Sequence, residues 1–219
     1  HAVLTEPGTL SAAAMHGALA ELAEWTNVGP HVGAAAGSLS REPMTPAAQE
    51  GAVSTRGITS GGGYAEFRLS SPTAIIDVGL SSGDTDGSPA DIDYAFRMWS
   101  TSLTVIENGT TRGSFGTAGI ADVLRVAVEN GVVVYRKNGA VVYTSTIPPQ
   151  FPLVVDSSVS AGSASASAVA LGGQLVDVAS ALITMSPSGG AFGAPQSVTL
   201  TSSPGQTIYY TLDGSEPRN

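Results

Sequence analysis

The chain has 219 residues, of which 42% are hydrophobic and only 12% are charged. Its 18 acidic and 9 basic residues give a formal net charge of -9, which opposes binding to nucleic acid or to an anionic membrane because both carry negative charge. There is no cysteine, so disulfides, thiolate nucleophiles and zinc–thiolate sites are excluded. No apolar run is long enough to predict insertion into a membrane.

The N-terminal part predicts one short helix over residues 11–24. Ser11 is a good N-terminal cap, and alanine dominates the residues that follow it. Met15, Leu19 and Leu22 recur at helical spacing. We expect this helix to pack on the remainder of the chain, because a single short amphipathic helix cannot form a core by itself.

From residue 51 onward, short apolar segments alternate with turn residues, which predicts β-strands. Asn-Gly pairs at 108–109, 130–131 and 138–139 separate several of these segments, and both residues of such a pair suit the positive φ angles of a type I′ hairpin turn. Residues 122–146 are therefore predicted to form a three-stranded antiparallel meander. The other predicted strands cover residues 51–58, 64–70, 74–82, 91–100, 103–107, 111–116, 151–159 and 165–173.

The number and spacing of these strands predict an all-β fold, an antiparallel sandwich of the jelly-roll type. A single open sheet with so many strands would curl or split into two packed layers. After residue 172 the pattern weakens into a linker, and a new strand pattern begins at residue 186.

Several pieces of the chain carry a family resemblance. GAVSTRGITSGGGYAEF, GLSSGDTDGSPADIDYAF, ENGTTRGSFG and FPLVVDSSV resemble a recurrent module of large secreted or surface proteins of bacteria, similar in layout to the concanavalin-A-like lectin sandwiches. The resemblance covers about residues 25–172. It implies a non-catalytic module, of a kind that is often presumed to bind carbohydrate.

A second resemblance is shorter and has more specific motifs. Residues 186–217, SPSGGAFGAPQSVTLTSSPGQTIYYTLDGSEP, are similar to the opening of the small immunoglobulin-like module at the C-terminus of chitobiase and hexosaminidase type enzymes. That module continues for several more strands, so a partial immunoglobulin-like module is expected here, as part of a longer modular polypeptide. The predicted organisation is an N-terminal segment (1–24), the sandwich (25–172), a linker (173–185) and the partial module (186–219).

Exposed aromatic side chains are the first candidates for a carbohydrate site, because sugar rings stack on them. Trp99 lies at the end of the predicted strand 91–100, on the face opposite to Tyr94, while Tyr135 and Tyr143 can form a cross-strand pair in the meander. Arg97 is a candidate partner for sugar hydroxyls. Trp99 and Tyr135 are expected to be exposed, because each neighbours a polar residue at a strand end. The alternative is that these aromatic side chains pack in the core.

Four carboxylates in the segment GDTDGSPADID suggest a calcium site. Asp84, Asp86, Asp91 and Asp93 fall within ten residues, and calcium prefers such hard oxygen ligands. Their spacing is not that of an EF-hand. The alternative is that they are solvated carboxylates of a turn.

The motifs of common active sites are absent from the sequence. The Glu-x-Asp-x-Glu motif of laminarinase-type jelly rolls does not occur, and the nearest pair is Asp91 and Asp93. No G-x-S-x-G motif occurs either. A copper site formed by the amino group and imidazole of His1 with His16 or His31 is an alternative, but the rest of the chain does not resemble the polysaccharide monooxygenases.

Together these patterns predict a non-catalytic carbohydrate-binding module of a larger secreted or cell-surface bacterial protein, such as a glycoside hydrolase. The expected partners are a polysaccharide or glycan and the other modules of the same polypeptide, with no nucleic acid and no membrane insertion. The alternative is a structural or adhesive spacer without a ligand, which would bury its tryptophan and tyrosine side chains.

Overall fold

The computed structural model describes residues 12–15, 18–42, 49–70, 75–161, 164–178, 184–186, 193–194, 196–201 and 210–211. The bounded elements of this part of the chain are all strands. They are β1 Ala12–Met15, β2 Ala18–Leu22, β3 Trp25–Thr26, β4 Val32–Ala35, β5 Ser38–Arg41, β6 Val53–Leu69, β7 Ile75–Ser81, β8 Tyr94–Trp99, β9 Ser102–Glu107, β10 Thr110–Thr117, β11 Leu124–Glu129, β12 Val132–Lys137, β13 Ala140–Thr144, β14 Leu153–Ala161, β15 Ser165–Asp177, β16 Thr184–Ser186 and β17 Thr199–Thr201.

The predicted helix over residues 11–24 is wrong, because β1 and β2 form an antiparallel pair there. β2 also pairs with β15, with Ala20 opposite Gly172. Ala20 is buried in a cluster with Tyr64, so a small side chain is needed where the strand passes this ring. Pairing with the sheet therefore outweighs the helix propensity of alanine. The predicted cap, Ser11, lies outside the described residues.

One long strand, β6, links the two layers of the molecule. Its first half pairs with β14, with Leu153 opposite Ile58, and its second half pairs with β11, with Leu124 opposite Phe67. The sequence predicted two separate strands here. Between the two halves lie three consecutive glycines, and Gly61 has a φ angle of 70°. This left-handed conformation suits glycine and allows the strand to bend from one layer into the other.

The first layer has the strand order β10–β9–β8–β7–β14–β6, and the second has the order β13–β12–β11–β6–β15. Fifteen strands are linked by hydrogen bonds into one sheet that folds back on itself, and β16 and β17 form a separate two-stranded sheet. The predicted all-β antiparallel sandwich of jelly-roll type is therefore confirmed.

The core lies between the two layers. The rings of Phe96 in β8 and Tyr135 in β12 meet edge to face across it, with centroids 5.2 Å apart. Other fully buried side chains come from both layers: Ile58, Phe67, Val78, Leu80, Leu103, Val105, Leu124, Val126, Val133, Leu153 and Val155. Since side chains alternate along each strand, the residues between these positions point away from the core.

The three Asn-Gly hairpins have the predicted geometry. Asn108 and Gly109 have φ angles of 47° and 71°, and Asn130 and Gly131 have φ angles of 50° and 82°. Asn138 in the third hairpin is also left-handed, with a φ angle of 51°. Positive φ at both central residues is the mark of a type I′ turn.

Two further observations concern the organisation of the chain. β15 continues to Asp177, beyond the predicted end of the sandwich at residue 172, while the predicted domain boundaries stay predictions. Within the described residues, no helix has the length and apolar character needed to cross a membrane.

Candidate functional site

Two of the predicted aromatic ligands, Tyr94 and Tyr135, lie in the core. Tyr94 is 2% exposed, and its hydroxyl donates to the carbonyl oxygen of Pro148 at 2.9 Å. Tyr135 is 0% exposed, so the prediction that it is exposed is wrong. Its hydroxyl donates to Oε1 of the buried Glu107 at 3.2 Å. A ring without exposed surface cannot stack on a sugar, because strand alternation points both side chains between the layers.

The other predicted residues do not converge on one site. Trp99 is 64% exposed at the end of β8. Tyr143 is half-buried and forms the predicted cross-strand pair with Tyr135, with ring centroids 5.6 Å apart. Arg97 donates from Nε to Oδ1 of the fully buried Asp77 at 2.7 Å. Roles for Trp99, Tyr143 and Arg97 in carbohydrate binding stay predictions.

The structure instead has a cleft with charged side chains in its lining on the outer face of the second layer, where β6, β11 and β12 lie side by side. Phe67 and Leu124 point into the core, and the residues next to them, Glu66 and Arg125, therefore point outward. The cleft has a volume of about 590 Å³, within the range typical of small-ligand sites. Its lining residues are Glu66, Arg68, Ala121, Val123, Arg125, Glu129, Arg136, Asn138 and Gly139, and we call it the arginine cleft.

Two ion pairs form the floor of the arginine cleft. Arg125 donates from Nε and Nη2 to Oε2 of Glu66, at 2.8 and 2.5 Å. Its guanidinium carbon lies 3.9 Å from the centre of the Tyr64 ring, so a cation–π contact supports it from one side. Arg136 donates from Nε and Nη2 to the two carboxylate oxygens of Glu129, at 2.8 and 2.7 Å. The hydrogen bonds from Arg136 lower the pKa of Glu129 despite its partial burial.

Arg68 and Asn138 complete the lining of the arginine cleft. Nη1 of Arg68 donates to the carbonyl oxygen of Ala121 at 2.6 Å. Asn138 accepts a hydrogen bond from the amide of Val123 and donates to Asp122, so its amide group is fixed. This site was not predicted from the sequence. One feature of the sequence does indicate it, because charged residues occupy every second position of predicted strands, as Glu66 and Arg68 do.

The acidic residues of the loop between β7 and β8 are divided between two environments. Asp84 and Asp91 come together with Asp156 of β14, so that one carboxylate oxygen from each lies within 4.8 Å of the others. Asp86 and Asp93 are not in this cluster. They accept hydrogen bonds from the backbone amides of Ser88 and Ser82, respectively, within their own loop. The predicted set of four carboxylates is therefore not the set that the fold gathers.

Asp156 is the residue of the acidic cluster that was not predicted from the sequence. It is 3% exposed, and its Oδ2 atom is buried without a hydrogen-bond partner. Burial raises the pKa of Asp156 well above its usual value, and the carboxylates of Asp84 and Asp91 act in the same direction. The sequence does contain an indication of this role, because Asp156 lies within the apolar segment FPLVVDSSV. A carboxylate in such a segment is expected to be buried, and buried charges are rare unless they are paired or bind a metal.

The acidic cluster is held in place by contacts on both sides. Asn27 donates from Nδ2 to Oδ2 of Asp84 at 2.7 Å, and the amide of Thr85 donates to Oδ2 of Asp91 at 2.8 Å. The hydroxyl of Ser158 in β14 donates to the carbonyl oxygen of Gly87 at 2.8 Å, which ties the loop to the strand.

Of the three histidines considered for copper, His1 and His16 lie outside the described residues. His31 contacts Glu50 through Nδ1 at 2.9 Å.

Solved structures with a similar fold cover about two thirds of the chain. A human SPRY domain matches with a TM-score of 0.51 and 18% identity, over 65% of this chain and 94% of that chain. The potassium-bound carbohydrate recognition domain of Emp46p has a TM-score of 0.49 and 12% identity, over 70% and 88%. The carbohydrate binding module CBM66 from Bacillus subtilis has a TM-score of 0.46 and 11% identity, over 69% and 96%. At such low identity the SPRY match shows the fold alone.

The sequence comparisons concern the C-terminal segment. Residues 187–219 match the chitobiase/beta-hexosaminidase C-terminal domain family, in agreement with the second resemblance noted in the sequence. A search of curated protein sequences finds no match to the chain. The chain is thus similar to a sandwich domain over its larger part and to a chitobiase/beta-hexosaminidase C-terminal domain over its last residues.

Proposed function

We propose that the chain is a non-catalytic carbohydrate-binding module of a larger secreted or cell-surface bacterial protein, such as a glycoside hydrolase. The observation that carries this proposal is the arginine cleft, in which charged donors and acceptors line a volume of about 590 Å³ on the outer face of the second layer. The match of residues 187–219 to a domain named for chitobiase and beta-hexosaminidase supports a parent protein that acts on glycans.

The chemistry of the arginine cleft suits sugar hydroxyls. Each hydroxyl both donates and accepts, and the ion pairs of Arg125 with Glu66 and of Arg136 with Glu129 offer donors and acceptors side by side. Their mutual hydrogen bonds fix the side chains before a ligand arrives, which lowers the entropy cost of binding. Binding would raise the local concentration of an attached catalytic unit on its polymer.

A pair of charge-removing substitutions tests this site. We expect the double variant Glu129→Gln/Arg136→Gln to lose binding by about tenfold or more, because charged hydrogen-bond partners become neutral ones. The fold should survive, since both side chains are partly exposed, at 36% and 28%. The measurement is a glycan array followed by pull-down on insoluble chitin, cellulose and xylan.

A matched control is available in the ion pair of Arg56 and Glu21, which lies outside the arginine cleft. The double variant Glu21→Gln/Arg56→Gln should bind like the wild type. Loss of binding on Trp99→Ala, with the cleft variant unaffected, would move the site to the end of β8. If the wild type binds no polysaccharide, the alternative of a structural or adhesive spacer is favoured. The burial of Tyr94 and Tyr135 agrees with that alternative.

We further propose that the acidic cluster of Asp84, Asp91 and Asp156 holds a calcium ion. The unpartnered, buried Oδ2 atom of Asp156 supports this, because an uncompensated buried charge is costly. Oxygens within 4.8 Å of one another can surround one ion at calcium–oxygen distances of about 2.3 to 2.6 Å. The two positive charges of the ion would offset most of the negative charge of the three carboxylates, and the ion would fasten the loop between β7 and β8 to β14.

Calcium binding has a direct thermodynamic signature. At a concentration of about 100 times the dissociation constant, calcium should raise the melting temperature by roughly 5–10 °C, and a chelator should reverse the rise. Asp156→Asn should abolish the effect, whereas Asp93→Asn should preserve it because Asp93 is not in the cluster. Parallel titrations with magnesium and potassium identify the preferred ion. An unchanged melting temperature at millimolar calcium would refute the proposal.

A further inference from the structure

We propose that the arginine cleft selects saccharides that carry an anionic group, a carboxylate or a sulfate ester, and that Arg68 binds this group. The inference rests on the proposed carbohydrate-binding function and names the ligand class of that same site. It follows from the distribution of charge and from the pairing of each arginine in the described part of the chain.

The charge balance of the arginine cleft is opposite to that of the whole chain. The sequence has only 9 basic residues against 18 acidic ones. Three of the nine line the cleft, Arg68, Arg125 and Arg136, and only two carboxylates, Glu66 and Glu129, accompany them. The lining therefore has a net positive charge in a protein whose formal net charge is -9.

The two carboxylates of the arginine cleft already have partners. Glu66 accepts two hydrogen bonds from Arg125, and Glu129 accepts two from Arg136. Nη1 of Arg136 also donates to the carbonyl oxygen of Gly139 at 2.8 Å. The charge of each of these two arginines is therefore balanced by a carboxylate within the site.

Arg68 differs from every other arginine that the structure describes. Arg41, Arg56, Arg97, Arg112, Arg125 and Arg136 each form an ion pair with a carboxylate. Within the described residues, Arg68 has a backbone carbonyl, that of Ala121, as its hydrogen-bond acceptor. A guanidinium group has five N–H donors in a planar fork, so most of those of Arg68 are available to a ligand.

This arrangement favours an anionic ligand over a neutral one. The bond to Ala121 holds the Arg68 side chain in place, and Arg68 lies two residues from Glu66 on the same face of β6. A carboxylate or sulfate group accepts two parallel hydrogen bonds from such a fork, and charge-assisted bonds of this kind are roughly twice as strong as neutral ones. A neutral sugar would occupy the cleft but would leave the positive charge of Arg68 without a negative charge beside it.

Matched polymers test the inference by isothermal titration or affinity electrophoresis. Polygalacturonate is compared with its methyl ester, and dextran sulfate with dextran, so that each pair differs only in the anionic group. The wild type should bind one anionic member about tenfold tighter or more than its neutral partner. The pair that shows this preference distinguishes a carboxylate ligand from a sulfate ester.

Variants locate the preference. Arg68→Gln should remove it while binding to neutral polymers is kept, and Arg68→Lys should retain part of it because the charge remains. Arg56→Gln makes the same charge change outside the cleft and should retain the preference in full. Equal binding of both members of each pair by the wild type, or an unchanged preference in a folded Arg68→Gln protein, overturns the inference and leaves the proposed function intact. Binding to neither member of any pair, with binding to chitin, cellulose or xylan retained, overturns the inference alone, whereas no binding to any of these polymers overturns both.

Discussion

Asp77 illustrates how the environment of one residue sets its chemistry. It lies in the middle of β7 with 0% exposure, and Oδ1 accepts a hydrogen bond from Arg97 at 2.7 Å while Oδ2 is buried without a partner. Burial raises the pKa of Asp77 from 3.8 to about 6, and the charge of Arg97 offsets this only in part. The protonated form is therefore favoured in the folded state relative to the unfolded chain.

This pKa shift predicts a dependence of stability on pH. Because the pKa of Asp77 is higher in the folded state, its contribution to stability is fully present below pH 3.8 and is lost as the pH rises through about 6. One pKa unit corresponds to about 1.4 kcal/mol, so the loss is about 3 kcal/mol. Asp77→Asn, which resembles the protonated form, should be free of it.

Urea unfolding of both proteins between pH 4 and 8 measures the effect. The free energy of unfolding of the wild type should fall relative to that of Asp77→Asn as the pH rises. A constant difference across this range, or a difference of the opposite sign, would show that Arg97 compensates the charge of Asp77 completely.

The face of a strand on which a side chain lies was predicted well, because alternation along the strand determines it. Contacts between residues that are distant in sequence were predicted poorly. Alternation placed Tyr94 and Trp99 on opposite faces of β8, but it did not show that the face of Tyr94 is the core. Asp156 is 65 residues beyond Asp91, and only the pairing of β14 with β7 brings them together. A contact of this kind leaves no trace in local spacing.

Turns and strands were likewise predicted correctly where their own residues determine the conformation, and wrongly where pairing with a distant strand determines it. The Asn-Gly hairpins were predicted correctly, because the turn conformation depends on the two residues themselves. The N-terminal helix was predicted wrongly, because β2 is fixed by its pairing with β15. The short strands β3, β4 and β5 were missed, since they lie among glycines and prolines and depend on pairing. β3 pairs with β6, β5 pairs with β15, and β4 pairs with β5.

The arginine cleft is a product of three elements at once. β6, β11 and β12 each contribute charged side chains at alternate positions, and the register places Arg125 between Glu66 and Arg136. The sequence predicted each strand of the meander, but the pairing of β11 with the second half of β6 is a long-range contact. For this reason the strands could be predicted and the site could not.

At the scale of the whole molecule, the sandwich is closed by aromatic contacts that span both layers. Tyr135 contacts Phe96 in the opposite layer and Tyr143 in its own layer, at centroid distances of 5.2 and 5.6 Å. Burial and the neighbouring Glu107 raise the pKa of Tyr135, so its hydroxyl stays protonated and donates to this carboxylate. Glu107 is itself 0% exposed and also accepts from Arg112 at 3.0 Å.

If Tyr135 joins the layers and does not bind glycan, its substitutions should change stability alone. Tyr135→Phe keeps the ring but leaves Glu107 with one partner fewer, so we expect a loss of about 1–3 kcal/mol in the free energy of unfolding. Tyr135→Ala removes the ring from the core and should cost about 3–5 kcal/mol. Tyr143→Phe, at a half-buried position, is the control and should change stability by less than about 0.5 kcal/mol.

Denaturant unfolding and binding to the same glycan, measured per folded molecule, separate the two roles. Weaker binding by folded Tyr135→Phe at unchanged stability would contradict the assignment of Tyr135 to the core.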